Sequence, residues 1–396
     1  MEHAYIAEAI ARGQLSAGGV FTARCCEWLE AETGCAKALL VHSATAALEM
    51  AALLLELEPG DEIVMPSFTF VSTANAVVLR GATPVFVDIR SDTVNLDESL
   101  VEEAITSRTK ALIPVHYAGV PCEMDRLREV ARRHGLIVVE DAAQALGSTY
   151  KGKAAGSIGD LGAVSFHETK NVISGEGGAL LVNNPRFAAR AEVLRDKGTD
   201  RGRFFRGEVD KYSWVDLGSS YGLSELNAAF LWAQLEVSSE LTAERLRIWR
   251  LYHEGLERLE EDGLLRRPVV PDHVQANAHI YYVLVADPDQ QRQALADLNE
   301  RKVNAVFHYV PLHRSAAGRR YGRANGRLPN TDFASERLIR LPIWSGMSED
   351  QVMFIVEALT ASLSGRGLFS GLSPTIRHSQ YSTRAFSFRK PARWAA

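Results

Sequence analysis

Residues 123–144 read EMDRLREVARRHGLIVVEDAAQ, a helical pattern followed by a short apolar run that ends on a carboxylate. This stretch predicts a helix over residues 123–134 and a buried strand over residues 137–140. Other short apolar runs before residue 235 alternate with longer helical stretches in the same way. They cover residues 62–65, 84–87, 111–115, 162–166 and 179–182. The alternation predicts an α/β fold with a mostly parallel sheet and helices on both faces, and the closely spaced last two runs are compatible with antiparallel pairing.

The second half of the chain predicts a smaller α+β domain. A long helical region over residues 224–260 comes first, and the elements that follow are a strand (280–285), a helix (290–301), a strand (303–309) and a final helix (349–363). With 396 residues the chain is about twice the length of one domain. We therefore expect a large domain over residues 1–240, a small C-terminal domain over 241–364, and a flexible basic tail over 365–396.

Composition excludes several classes of protein. Hydrophobic residues make up 46% of the chain, enough for a large core, yet no apolar run reaches the roughly 18 residues that span a bilayer. The net charge of −5 gives no reason to expect nucleic-acid binding. The four cysteines form no C-x-x-C pair, so neither a disulfide framework nor a zinc site is expected. Together with an N-terminus that lacks the pattern of a secretory signal, they favour the cytoplasm.

Two chemically useful side chains follow the strand predicted over residues 137–140. In an open parallel sheet, ligands bind outside the carboxyl ends of the strands. Asp141 comes directly after this strand and Gln144 lies one turn later. An aspartate at this position could equally cap a helix, so Asp141 alone does not establish a site.

A lysine follows another strand, in the run SFHETKN over residues 165–171. The strand delivers Ser165, and a loop then presents Lys170 before the glycine-rich turn at residues 175–178. A single lysine is usually a solvated surface charge. Burial between strands would favour the neutral amine and make Lys170 a candidate nucleophile.

Two further segments could hold a planar, phosphorylated ligand. Ala44 and Thr45 open a predicted helix just after Ser43, where backbone N–H groups suit a phosphate. Phe70 follows a strand and could cover a flat ring. Helix capping by Ser43 and burial of the aromatic ring in the core are the ordinary alternatives.

Taken together, these segments contain the parts that a pyridoxal phosphate (PLP) enzyme requires: a phosphate site, an aromatic cover, a carboxylate and a loop lysine. Their order resembles the DegT/DnrJ/EryC1/StrS family of sugar aminotransferases over about residues 10–363. The motifs that carry the resemblance are SAT (43–45), PSFTFVSTAN (66–75), EDAAQ (140–144), SFHETKN (165–171) and GEGG (175–178). The resemblance implies the fold-type I architecture of PLP-dependent transferases and a homodimer with shared active sites.

The resemblance also implies roles for individual residues. Lys170 would form the Schiff base with PLP and then act as general base, and Asp141 would pair with the pyridinium nitrogen. Gln144 would contact the ring oxygen and Phe70 would stack on the ring. The phosphate would be held by Ala44, Thr45 and Ser165, and by Ser220 of the neighbouring subunit, which stands where many members carry an asparagine.

The expected substrate is inferred from four segments. They are most similar to those of family members that aminate a dTDP-linked 4-keto-6-deoxy sugar with L-glutamate as donor. They are FHETKN (166–171), RFFRG (203–207), DKYSW (210–214) and VFHYVPLH (306–313). We expect Arg201, Arg203 and Arg206 to bind the pyrophosphate, or else to form a solvated basic loop. His308 and His313 are expected to line the sugar pocket, or else to be structural.

Three alternative functions stay open. One is amination of another sugar position or nucleotide within the same family. Another is a sugar dehydratase, which the presence of Lys170 disfavours because dehydratase members replace that lysine. The last is a non-catalytic PLP-binding regulatory protein.

Overall fold

A computed structural model describes residues 1–365 of the protein, so the predicted tail lies outside the described residues except for Gly365. The strands of the described part are β1 (Lys37–Val41), β2 (Glu62–Pro66), β3 (Thr83–Val87), β4 (Thr109–Leu112), β5 (Ile137–Asp141), β6 (Thr149–Tyr150), β7 (Lys153–Ala154), β8 (Leu161–Ser165), β9 (Gly178–Val182), β10 (Leu265–Arg266), β11 (Val274–Gln275), β12 (Tyr281–Val285), β13 (Arg323–Ala324) and β14 (Leu338–Leu341).

The α-helices vary from one turn to five turns. They are α1 (Glu2–Ala11), α2 (Val20–Thr33), α3 (Ala44–Leu54), α4 (Val71–Val78), α5 (Val101–Ala104), α6 (Met124–His134), α7 (Ala188–Arg195), α8 (Arg201–Phe205), α9 (Glu225–Leu235), α10 (Ser238–Gly255), α11 (Glu257–Glu261), α12 (Pro288–Glu300), α13 (Ala316–Tyr321), α14 (Pro329–Arg337) and α15 (Glu349–Leu363).

The large sheet has the strand order β1-β9-β8-β5-β4-β2-β3-β13. The pairs from β8 through β13 are all parallel, whereas β9 runs antiparallel to both β8 and β1. The prediction of a mostly parallel sheet is therefore confirmed, and the last two predicted strands adopt the antiparallel pairing with which the sequence was compatible.

Alternate residues of the strands build two cores, one on each face of the large sheet. In β2, Ile63 and Met65 pack with α3 and α4 on one face, and Val64 packs beneath α6 on the other. The helices α1, α2 and α9 cover the remainder of the second face. Burial on both faces explains why these strands are continuous apolar runs without an alternating pattern.

A second, three-stranded antiparallel sheet has the order β10-β12-β14 and packs against α10, α12 and α15. This part of the chain is α+β, as the sequence predicts. The helix α15 begins with a capping box, in which Ser348 and Gln351 exchange side-chain and backbone hydrogen bonds. The proposed boundary at residues 240 and 241 falls inside α10, and the division into domains stays a prediction.

One predicted element in this half is wrong. Residues 303–309 do not form a strand: Val306 makes only an isolated bridge to Arg340, and the chain then turns towards the large sheet. The long helical region predicted over residues 224–260 is confirmed, and it consists of three helices, α9 to α11, separated at Val237 and Leu256. Local periodicity could not show either break, because tertiary packing decides where these segments turn.

Two absences hold for residues 1–365. No helix in this part is long and apolar enough to cross a membrane. The same residues contain no cluster of histidine, cysteine and acidic side chains arranged to hold a metal ion.

Candidate active site

A cavity of about 530 Å³ opens at the carboxyl ends of β5 and β8, next to the start of α3. This is the position where parallel sheets bind ligands. Most of the residues singled out from the sequence line this cavity, although they come from five separate segments of the chain. They are Ala44, Thr45, Phe70, Asp141, Gln144, Ser165, Lys170 and His308.

Asp141 ends β5 as a buried carboxylate. Its Oδ2 accepts a hydrogen bond of 2.7 Å from Thr73, and its Oδ1 accepts one of 3.2 Å from the backbone N–H of Ala143. Burial raises the pKa of Asp141, while these hydrogen bonds and the positive charge of Lys170 oppose that rise. A buried carboxylate without a direct ion pair is suited to a cationic partner, such as a protonated ring nitrogen.

Lys170 faces the same cavity from the loop after β8. Its Nζ makes no hydrogen bond or ion pair with any group of residues 1–365. Burial lowers the pKa of Lys170 to about 8, with Asp141 acting in the opposite direction. A substantial fraction of this amine is therefore neutral near pH 8, which is the state required of a nucleophile or a base.

The start of α3 leaves two donors free. Ser43 caps the helix by accepting from the N–H of Ala46 at 3.0 Å, whereas the N–H groups of Ala44 and Thr45 have no acceptor in the described residues. Ser165 adds a hydroxyl whose oxygen accepts from the N–H of His167 at 3.3 Å and whose proton has no acceptor among residues 1–365. These three groups form an anion site that matches a phosphate.

The first residue of β9 keeps this anion site compact. A Cβ added to Gly178 would lie 2.4 Å from the backbone nitrogen of Ala44, so only glycine lets β9 approach the start of α3 this closely. The GEGG turn therefore has a packing function at the phosphate site.

Aromatic side chains form the far wall of the cavity. The amide of Gln144 donates to the hydroxyl of Tyr309 at 2.8 Å and accepts from the N–H of Ala118 at 2.8 Å. Phe70 precedes α4, is 57% exposed, and has its ring centroid 6.4 Å from that of Tyr309. A flat ring entering the cavity could therefore contact the exposed face of Phe70 and the second amide hydrogen of Gln144.

The two candidate histidines lie in different surroundings. His308 lines the cavity, and its Nδ1 lies 2.8 Å from the hydroxyl of Tyr117. Burial lowers the pKa of His308 to about 2, so its ring is neutral. His313 lies outside the cavity, where its Nδ1 is 2.8 Å from Ser67 and its Nε2 is 3.4 Å from Asp332, so within this chain it serves as a structural contact.

The three candidate arginines also lie outside the cavity of their own chain. Arg203 and Arg206 pair with Glu208, at 3.2 and 2.6 Å, and Arg206 also pairs with Glu192. The guanidinium of Arg201 stacks on Phe205. Ser220, exposed and bridged to Asp196, is likewise absent from the cavity.

Arg340 and His279 are among the cavity residues that were not predicted from the sequence. Arg340 comes from β14, and its Nε is buried without a hydrogen-bond partner. His279 follows a loop in which Ala278 has a φ of 53°, and its Nδ1 lies 3.1 Å from the side chain of Asn171. Both belong to the second half of the chain, so no local motif connects them to Lys170. The lone arginine in the apolar run of residues 338–341 was the only available signal.

Comparison with known proteins is consistent with this geometry. The DegT/DnrJ/EryC1/StrS aminotransferase family model matches residues 1–360. The chain belongs to this family. A relative from Methanocaldococcus jannaschii, the uncharacterised protein MJ1066, is 36% identical over 335 residues, which is 83% of this chain and 86% of its own.

Two solved structures show the same architecture. The aminotransferase TlmJ of Streptoalloteichus hindustanus superposes with a TM-score of 0.82 at 32% identity, covering 92% of this chain and 96% of its own. Spr1654 of Streptococcus pneumoniae, provisionally named a sugar aminotransferase and solved in its PLP form, gives 0.84 at 27% identity over 92% and 96%. The fold, the family and PLP as cofactor are thereby confirmed for this DegT/DnrJ/EryC1/StrS aminotransferase.

The cavity fits PLP. The free N–H groups at the start of α3 suit the phosphate, the amine of Lys170 has no competing partner, and the carboxylate of Asp141 is available to a ring nitrogen. When bound, PLP supplies an electron-accepting ring that stabilises negative charge at the α-carbon of an amino donor.

Proposed function

We propose that this enzyme transfers the amino group of L-glutamate to a nucleotide-linked 4-keto-6-deoxy sugar. The specific substrate we propose is dTDP-4-dehydro-6-deoxy-D-glucose, which would give dTDP-4-amino-4,6-dideoxy-D-galactose. The observation that carries the aminotransferase chemistry is the unpartnered amine of Lys170, with a pKa near 8, in one cavity with the buried carboxylate of Asp141. The proposal of this sugar and nucleotide rests on the four segments of the sequence that are similar to family members acting on such a substrate.

Lys170 would act twice in this reaction. Its neutral amine would first hold the cofactor covalently. Once displaced by the amino donor, it would accept the α-proton of the donor and later return a proton at the carbon that receives the nitrogen. Burial supports both steps, because it lowers the pKa of Lys170 to about 8, where the amine can both accept and return a proton near neutral pH.

Asp141 would keep the ring nitrogen of the cofactor protonated. Thr73 has a supporting role, since its hydroxyl donates to Asp141 and accepts from Thr69 at 2.8 Å. This chain of hydrogen bonds orients the carboxylate and favours its ionised form. Gln144 and Phe70 would fix the ring in its plane, and Ala44, Thr45 and Ser165 would hold the phosphate.

We propose that the enzyme works as a homodimer in which each subunit completes the site of the other. The segment from α8 to Ser220 exposes several large apolar side chains, among them Trp214 at 79% and Phe205 at 69% exposure. Apolar surface of this size is typical of a protein interface. In such a dimer Ser220 would reach the partner's phosphate site, and Arg201, Arg203 and Arg206 would reach the pyrophosphate of the partner's substrate.

The test has two stages. The PLP-loaded enzyme is first mixed with L-glutamate, and its absorbance is expected to change to that of pyridoxamine phosphate. A non-catalytic PLP-binding protein would show no such change. The aminated enzyme is then given purified keto-sugars that differ in nucleotide, and NMR of the product identifies the carbon that carries nitrogen and its configuration. Amination at another carbon, or of another nucleotide-sugar alone, would contradict the proposed substrate.

A further inference from the structure

His279 is a buried cavity residue whose backbone is held from two sides. Its N–H donates to the side-chain oxygen of Asn277 at 3.1 Å. Its carbonyl oxygen, like that of Ala278, accepts from the guanidinium of the buried Arg245. Ala278 has a φ of 53°, a left-handed conformation that is unfavourable for a residue with a side chain. These contacts hold the strained backbone in place, and strain of this kind is concentrated at functional sites.

The ring of His279 has a defined tautomer. The amide nitrogen of Asn171 donates to the carbonyl oxygen of Asn277 at 2.8 Å, so the amide oxygen of Asn171 is the atom that meets His279. That oxygen lies 3.1 Å from Nδ1 of His279, and because an amide oxygen only accepts, Nδ1 carries the proton. Burial lowers the pKa of His279 well below its ordinary value, and the charge of Lys170 acts in the same direction. The ring is therefore neutral, with a lone pair on Nε2.

This lone pair belongs to the surroundings of Lys170. Both residues line the main cavity, and both line a smaller adjoining cavity of about 10 Å³. Nε2 of His279 accepts no hydrogen bond from any group of residues 1–365, and Nζ of Lys170 donates none within the same range. A desolvated acceptor and a desolvated donor both gain free energy when they pair. The long, flexible side chain of a lysine can turn its amine towards such an acceptor.

We infer that His279 is a positioning residue for Lys170, whose free amine donates a hydrogen bond to Nε2 and thereby directs its own lone pair towards the substrate. This inference rests on the proposed function, because Lys170 needs such guidance when it moves a proton on a bound substrate. The proton passes from the α-carbon of the donor to Lys170 and later back to carbon, and His279 keeps its own proton throughout. The hydrogen bond strengthens as the amine becomes charged, so it favours the proton transfer.

Single-turnover kinetics with L-glutamate test this role in the PLP form. His279→Leu removes the acceptor, whereas His279→Gln keeps one, because a glutamine side chain ends near the position of Nε2. The matched control is His253→Leu, since His253 stacks on Trp249 with ring centroids 4.6 Å apart and lies outside the cavity. Conversion to the pyridoxamine form should slow roughly 10- to 100-fold in His279→Leu, the range for one hydrogen bond to a charged group. His279→Gln should recover part of this loss, and the control should keep the unmutated rate.

An isotope effect separates positioning from a general structural loss. With deuterium on the α-carbon of L-glutamate, His279→Leu should show an isotope effect at least as large as that of the unmutated enzyme, because proton transfer by Lys170 is the step that slows. The dissociation constant of pyridoxamine phosphate should stay unchanged, since His279 is not part of the anion site at α3. An unmutated rate in His279→Leu, an isotope effect that falls towards one, or cofactor binding that weakens in parallel with the rate would overturn the inference.

Nitrogen NMR of ¹⁵N-histidine-labelled enzyme tests the contact itself without turnover. In the enzyme loaded with pyridoxamine phosphate the amine of Lys170 is free, so His279 should show a neutral ring, protonated at Nδ1, with Nε2 shifted by an accepted hydrogen bond. The signal that His279→Gln lacks identifies this ring. Lys170→Met removes the donor and should move Nε2 towards the shift of an unbonded nitrogen. Lys151→Met, which changes an exposed lysine outside the cavity, should not move it.

The two measurements keep this inference distinct from the proposed function. If the unmutated enzyme converts no amino donor, the proposed function is wrong, and a shift of Nε2 that depends on Lys170 still supports the contact with His279. A ring protonated at Nε2, or an Nε2 signal that Lys170→Met leaves in place, contradicts the inference even in an active aminotransferase.

Discussion

Lys170 is ordinary in type and unusual in surroundings, and its reactivity depends on those surroundings. Replacing it with alanine or arginine removes the only lysine amine that lines the cavity within residues 1–365, and with it the group that would hold the cofactor and move the proton. Arginine keeps the charge but stays protonated, so it can do neither. We expect both variants to fold, to retain PLP without a covalent bond, and to turn over at least about 10²-fold more slowly. Circular dichroism measures the folding, absorbance spectroscopy the retained PLP, and steady-state kinetics the turnover.

The site of covalent attachment provides the control for this prediction. Borohydride reduction of the unmutated enzyme should fix the pyridoxyl group on one peptide, the one that contains Lys170, and peptide mass spectrometry identifies it. Lys151, an exposed lysine paired with Asp125, should stay unlabelled. Label on any other lysine, or an active Lys170→Ala variant, would refute the assignment.

The pKa of Lys170 predicts how cofactor loading depends on pH. Only the neutral amine attacks the aldehyde of PLP, and burial lowers this pKa to about 8. Raising the pH towards 8 should therefore increase the rate of covalent loading of the cofactor-free protein about tenfold per pH unit, with a plateau above the pKa. Rapid-mixing absorbance measures the rate. A rate that kept rising to the pKa of a solvated lysine, about 10.4, would show that Lys170 is not desolvated.

The sequence predicts which residues share the site only where a rule connects their positions along the chain. Lys170 and Asp141 each follow a strand of the large sheet, so the rule for parallel sheets predicts that they meet. Arg340 comes from the second sheet, in which β14 pairs with β12, and its backbone bridges to Val306. From that sheet its side chain lines the cavity. No spacing rule connects residue 340 to residue 170, and for this reason it was missed.

Contacts between distant segments also limit the prediction of whole strands and helices from the sequence. The strands of the βα units were predicted because each is a buried apolar run between helical patterns. β1 was missed although its run KALLV is apolar, since its partner β9 lies about 140 residues away and only that pairing makes it a strand. The segment 303–309 shows the opposite error: its apolar residues suggest a strand, but only Val306 finds a partner in the described structure.

Glu225 shows how one element depends on another far along the chain. Its buried carboxylate, at the start of α9, accepts from the N–H groups of Gly19, Phe21 and Thr22 at 2.9 to 3.0 Å, and from the hydroxyl of Thr22. It therefore caps α2, whose own N-cap is a glycine without a side chain. Glu225→Ala should lower the free energy of unfolding by at least about 3 kcal/mol, because several buried donors lose their acceptor.

Denaturant titration followed by circular dichroism measures this loss. Glu240→Gln is the matched control: Glu240 also lies in the first turn of a helix, α10, but it is exposed, so the unfolding midpoint should not move. Equal effects of the two substitutions would show that the cap of α2 contributes nothing specific.

At the scale of the whole molecule, the described chain explains the cofactor chemistry better than it explains the sugar. The residues expected to hold the phosphate and the ring of the cofactor line one cavity together with Lys170. Ser220, Arg201, Arg203 and Arg206 lie outside this cavity. These outer residues share a segment with Trp214 and Phe205, which are too apolar to be typical of a solvated loop. The homodimer that we propose would account for both facts, since a second copy of the chain would cover the apolar side chains and bring the polar ones to a site.

Hybrid dimers test whether two subunits share each site. Lys170→Ala removes the amine, and Ser220→Trp should block the partner's phosphate site with a bulky ring, so each variant alone should be inactive. In a hybrid, one site would carry both changes and the other would carry neither. Subunit exchange between equal amounts should therefore restore about a quarter of the unmutated activity, because half of the dimers are hybrids and each has one intact site. If both residues serve the same subunit's site, every site in a hybrid carries one lesion and no activity returns. That result, an active Ser220→Trp variant, or a fully active monomer in sedimentation would each exclude the shared site.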